Sequence, residues 1–180
     1  MPSKLTLVKH VAVPSQSAIA TAFKSANLAD AFSIQLPSDA SVSPDILARF
    51  IFSVQPSWVG ALTRVRDAIV SGFGLKTAKH LATLSGDATT PRISIFRVFG
   101  TSKTEVVLGE NDKHLDFRLS ILCTPGSPPN IGNQLTLSTV VHCHNLLGRT
   151  YLSIIAPFHR QVVIASLRRA ANVGWPKASA

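Results

Sequence analysis

The apolar positions change period along the chain, and the changes divide it into elements. "KLTLVKHVAV" reads as a strand ended by Pro14. Residues 15–26 read as a short helix, with Ile19, Ala22 and Phe23 on one side. "AFSIQLP" alternates Phe32, Ile34 and Leu36, the mark of a half-buried strand, and Pro37 stops it. A helix follows, with Ser43 to cap it, Pro44 at its first position and Asp45 at its positive end; it runs to Pro56. A second helix, "PSWVGALTRVRDAIVSG", carries Trp58, Leu62, Val65 and Ile69 as its stripe and ends at Gly72 and Gly74. Residues 80–92 read as a loop. "RISIFRVFG" and "TEVVLGE" form a hairpin about Thr101–Lys103, and "KHLDFRLSILC" and "QLTLSTVVHCH" flank the turn-rich "TPGSPPNIGN". The last element is a long helix from Leu146, striped by Tyr151, Ile154, Ile155, Phe158 and Val162 and expected to kink at Pro157.

This order predicts an α+β domain, a curved antiparallel β-sheet with helices on one face and a long C-terminal helix. The chain is read as a single domain, 1–180, with its core at about 29–171 and a loose tail at 172–180. Inward parity also sets a register. Leu115, Phe117, Leu119 and Ile121 face the core on one strand, and Leu135, Leu137, Val141 and Cys143 on its neighbour. A slip of one residue would expose both rows, so odd positions meet odd ones. With the loop centred near residue 129, His114 lies opposite His144, Asp116 opposite His142, Arg118 opposite Val140 and Ser120 opposite Ser138; a slip of two residues would change these partners but not the face.

Composition changes the picture in two respects. Charged residues make up 15% of the chain and apolar ones 46%, against about 25% charged in typical domains, which suits a large interior or an internal cavity. The net charge is +9, but the basic residues are dispersed: Arg64, Arg66 and the pair Arg168–Arg169 are the densest. Aromatic residues are not interleaved with them, so nucleic-acid binding is not expected. Cys123 and Cys143 form neither a metal pattern nor a disulfide framework. With no apolar run of membrane-spanning length and no signal-type start, a cytoplasmic location is expected.

The candidate chemistry begins in "LGENDKHLDFRLSILC", where Glu110, Asp112, His114, Asp116 and Arg118 alternate. Glu110 and Asp112 are assigned to a strand end and the "END" turn. His114, Asp116 and Arg118 share the next strand's polar face with His142 and His144. Three readings stay open. Imidazoles and a carboxylate can hold a metal, although "HCH" alone is a weak pattern and no metal is assigned. They can do acid–base chemistry, with Asp116 orienting a histidine. They can form a hydrogen-bond network that fixes register. No nucleophile elbow or phosphate loop accompanies them, and no cofactor is expected.

"LGENDKHLDFRLS", "VVHCHNLLGRTYLSIIAPFHRQVV" and "QPSWVGALTRVRDAIVSGFGLKT" together resemble the bacterial DUF2867 family, over about residues 29–170. The family pattern falls on Trp58, Arg66, Asp67, Gly109, Glu110, Asp112, His114, Asp116, Arg118, His144, Asn145, Gly148, Arg149, Tyr151, Pro157, His159 and Arg160. The resemblance implies a stand-alone domain similar to the helix-grip (START-like, Bet v 1-like) group, in which a curved sheet wraps a long C-terminal helix around an apolar cavity. It implies no catalytic role. The expected function is binding of a small hydrophobic molecule in that cavity. The expected lining is Trp58, His114, Asp116, Arg118, His142, His144, Tyr151 and His159. The alternative is an enzyme acting on a hydrophobic carbonyl compound, with His114 or His144 as acid or base, Asp116 as orienter and Arg118 as oxyanion stabiliser. A third expectation is an interaction module for a dehydrogenase-like partner, or a homodimer.

Overall fold

The computed structural model describes residues 6–62, 64, 91–126 and 132–178. In these, β1 (Lys9–Val11) and β2 (Leu28–Gln35) precede α1 (Pro44–Ser53). The strands β3 (Arg92–Ile93), β4 (Phe96–Thr101), β5 (Glu105–Asn111), β6 (Leu115–Thr124) and β7 (Gln134–Cys143) follow, and α2 (Leu146–Val173) closes the fold. Residues 57–62 are also helical. The strands form one antiparallel sheet in the order β1-β2-β7-β6-β5-β4-β3. This is the α+β arrangement read from the sequence. Val65, Arg66, Asp67, Ile69, Gly72, Gly74, the expected loop up to residue 90 and the centre of the β6–β7 loop lie outside the described residues. No helix among the described residues is long and apolar enough to cross a membrane.

The inward rows are those the alternation predicts. Phe32 and Ile34 of β2, Leu135 and Leu137 of β7, Leu119 and Ile121 of β6, and Val106 and Leu108 of β5 meet one face of α1 and of α2. From α1 come Leu47, Ala48 and Ile51, at helical spacing behind Pro44. The Ser43 side chain makes no capping bond; only its carbonyl serves, accepting from the Leu47 amide at 3.1 Å. The helix stops at Ser53, short of Pro56, because the Val54 amide still reaches back to the Phe50 carbonyl but the chain has left helical geometry there.

Five expectations need correction. Residues 15–26 form successive turns, not a helix. Their amides bond three residues back (Ser17 to Pro14, Ala20 to Ser17, Ala22 to Ile19), and the Ala18 amide goes to the Glu105 carboxylate instead. Strand character in the first segment survives only at β1, and β3 folds back on β4 at Ser94, whose φ is +54°. The buried row of α2 is Leu152, Val163, Ser166, Leu167 and Ala170; Ile154 and Phe158 of the expected stripe are 52% and 50% exposed. The tail is docked as far as residue 178. Trp175 packs on Phe50 at 6.1 Å between ring centres, Lys177 bridges Ala40, and the Ser41 amide donates to the Pro176 carbonyl at 2.7 Å.

The start of α2 shows what sets its position. Asn145 caps it by accepting from the Gly148 amide at 3.0 Å. Gly148 is buried so close to the His114 carbonyl that a Cβ would collide with it, which lets the helix enter directly against the β5–β6 turn. The helix is continuous through Pro157, although a proline there leaves the Ser153 carbonyl without its usual amide.

Candidate functional site

Paired residues of an antiparallel sheet project to the same side, so the pairings decide what each face holds. The β6–β7 register is the predicted one: Asp116 pairs with His142, Arg118 with Val140 and Ser120 with Ser138. The His144 amide donates to the His114 carbonyl at 2.9 Å, joining the fourth expected pair. His114, Asp116, Arg118, His142 and His144 therefore share a face, as expected. It is, however, the face turned away from α2. The odd rows of β6 and β7 meet the helices, so the even rows cannot line a space beneath them. The expected placement of these five residues under the final helix is corrected on that ground.

On this outer face the groups hold one another. The His144 Nε2 lies 3.2 Å from Asp116 Oδ1, and Asp116 also accepts from the Asp112 amide at 3.2 Å. His142 Nδ1 donates to the Ser25 carbonyl at 2.7 Å, and its ring stacks on Phe23 and meets His144 edge-on. The Asn145 oxygen is committed to Gly148, so its amide nitrogen donates to His114 Nδ1 at 2.9 Å. That fixes the His114 proton on Nε2, where it is buried without a partner among the described residues. Arg118 lies 3.6 Å above the Phe99 ring and 5.6 Å from Phe23. The turns at 13–26 cover the centre of this face: Ile19 packs on Val107 and Val140, and Ser17 and Ser120 donate to the buried Glu105 carboxylate. Glu110 goes the other way. It pairs with Phe117 toward the helices, and its carboxylate lies 3.4 Å from Arg92 Nη1. The alternating polar run thus divides between the two sides of the sheet.

A second polar group sits on the helix side, and of it only His159 and Arg160 belong to the family pattern given above. Asp30 of β2 and Thr139 of β7 are direct partners in the sheet and both are buried. Arg160 of α2 clamps Asp30 with Nε at 2.8 Å and Nη2 at 3.4 Å, and His10 Nε2 stands 3.4 Å from the same carboxylate. Burial alone would push the Asp30 carboxyl up, but the hydrogen bonds and charges of Arg160 and His10 together hold it below its ordinary range. His159 adjoins Arg160. Burial pulls its pKa down; Asp30 opposes this and Arg160 reinforces it. The His159 Nε2 and Thr139 Oγ1 are sealed from solvent with no hydrogen-bond partner among the described residues, as is Ser166 Oγ.

These groups separate two apolar clusters. On one side Leu152 packs on Val141 and Cys143; on the other Val163 and Leu167 join Phe32 and Leu137. Asp30 and Thr139 interrupt otherwise apolar inward rows: Asp30 continues the row of Phe32 and Ile34, and Thr139 stands between Leu137 and Val141. An isolated polar residue at inward parity was the legible signal. The remaining expected lining residues lie apart. Tyr151 is half-buried on the flank of α2. Trp58 is 42% exposed and borders a shallow groove of about 350 Å³ with Ile164, Ala165, Arg168 and Arg169. Among the described residues no group of three or more His, Cys, Asp or Glu side chains is placed to hold a metal ion.

A family model described as "Protein of unknown function (DUF2867)" matches residues 22–166. No curated protein and no solved structure matches the chain.

Proposed function

The chain belongs to the DUF2867 family, whose function is unknown, and we propose that it binds a small, largely apolar molecule between the sheet and α2. The strand order supports a helix-grip arrangement: β2 lies before the helices and pairs with β7, the last strand, and α2 runs back over both. One observation carries the reading. His159 Nε2 and Thr139 Oγ1 are enclosed in the interior and unpaired among the described residues, at a cost of about 1–3 kcal/mol for each such group. Asp30 is the sheet partner of Thr139 and also acts electrostatically on His159, so a ligand oxygen at that level, between the two apolar clusters, would be offered both groups, with Leu152, Val163 and their neighbours around its body.

Native mass spectrometry of freshly purified protein tests this. A small adduct that is lost on unfolding supports it. A single unliganded mass, unchanged after incubation with apolar compounds, contradicts it.

A second reading, docking onto a partner protein, draws on Leu146, Ile154 and Phe158, which α2 exposes at 77%, 52% and 50%. It predicts that Ile154→Ser with Phe158→Ser abolishes association seen by light scattering. A monomer at every concentration would remove self-association.

A further inference from the structure

The groups facing the interior around His159 also restrict what kind of molecule can enter, an argument that rests on the binding site just proposed. We infer that the ligand presents an uncharged oxygen, a hydroxyl or a ketone carbonyl, on an apolar body, and that carboxylates and ammonium groups are rejected.

The neighbours decide this. Asp30 and Thr139 are paired across β2 and β7, so a group that reaches Thr139 Oγ1 lies beside a buried carboxylate. Arg160, the cation that the described residues place at this carboxylate, already makes two hydrogen bonds to it. A ligand carboxylate would therefore meet Asp30 without a free counter-charge, and like charges in a poorly solvated site repel strongly. An ammonium group would meet Arg160 and His10 around an anion that they already satisfy. The same enclosure that keeps the His159 ring neutral disfavours a second ion of either sign.

An uncharged oxygen has no such conflict. Neutral imidazole offers either a lone pair or an N–H at Nε2, and the Thr139 hydroxyl can donate or accept. A ligand hydroxyl can donate to one and accept from the other. A ketone can accept from both when the Nε2 proton is present. In β2 and β7 the apolar inward rows are interrupted at the level of Asp30 and Thr139, between the two apolar clusters, which fits one oxygen on an otherwise hydrocarbon ligand.

The test uses the full chain with ¹³C-labelled histidine, titrated with 1-decanol, 2-decanone, decanoate and decylamine at about pH 8, where the acid and the amine are both ionised. The expected result is that decanol and decanone move the His159 ring resonances and bind at least about tenfold more tightly than either ion, as one net hydrogen bond in a buried site implies. Thr139→Val, which keeps the side-chain shape, should weaken decanol by about tenfold. His159→Gln is the second variant if Thr139→Val does not fold, with the same loss expected. Decanoate or decylamine binding as tightly as decanol, with His159 responding, overturns the ligand class and leaves the binding site standing. No response of His159 to any of the four compounds, or responses only at His114, His142 and His144, removes the binding site itself.

Discussion

His159 and Asp30 have opposite intrinsic charges but respond to acid in the same sense. The His159 pKa lies below its ordinary 6.5 in the folded chain, so the unfolded chain binds the proton first as pH falls. Its contribution to stability is complete above 6.5 and is lost as the pH drops from there toward the folded value. Asp30 lies below its ordinary 3.8; its contribution is complete above 3.8 and is lost as the pH drops from there through the folded value. Urea denaturation at a series of pH values should show less loss between about pH 8 and 5 in His159→Phe than in the wild type. Asp30→Asn should flatten the steeper loss below 3.8 instead. If both variants keep the wild-type profile, these two groups are not held as described. At this scale the outer-face histidines were legible because they alternate. Thr139 gives no such signal, because a threonine in a strand that also holds Thr136, Ser138, Val140 and Val141 reads as ordinary strand composition. Only its inward parity marks it.

Among the elements, the β6–β7 hairpin and α2 show why one could be read from sequence and the other only in part. Two inward rows fix the parity of the hairpin and its loop centre points to the register; the three predicted pairs within the strands are found, and an amide bond joins His144 to His114. In α2 the existence and length were readable, but its rotation was not. Tyr151, Ile154, Ile155 and Phe158 make one apolar face, and Leu152, Val163, Leu167 and Ala170 make another. Periodicity cannot choose between two such faces. The choice rests on tertiary contacts such as the approach of Gly148 to His114. Leu167→Ala should therefore cost about 2–5 kcal/mol, while Phe158→Ala should stay within about 0.5 kcal/mol. Equilibrium urea denaturation distinguishes them, and the reverse ranking would mean that the helix is rotated from its described position.

For the molecule as a whole, the sheet has two unequal sides. Most of the core lies on the helix side. The other carries a small cluster of Ile19, Val107 and Val140 held down by the turns at 13–26. Glu105 ties those turns to the sheet through Ser17, the Ala18 amide and Ser120. Glu105→Ala should cost about 1–3 kcal/mol and speed hydrogen exchange at the Ala18 amide, because it removes the acceptor of that bond. Unchanged exchange there would mean that the segment is held by packing alone. The two-sided organisation was not legible from the sequence: residues 15–26 carry an amphipathic helical pattern, while their turns are held by packing of Ile19 on the sheet and by bonds to Glu105, 88 residues from Ser17.

The proposed ligand site lies on the helix side of the sheet. Photolabelling of the folded chain with a decanol that carries an alkyl diazirine, mapped by peptide mass spectrometry against the urea-unfolded chain, tests it most directly. Adducts at Leu152, His159, Val163 and the Thr139 region, enriched over the unfolded control, are the predicted result. Adducts concentrated at Phe23, Phe99 and His144, or no enrichment over the control, would contradict it.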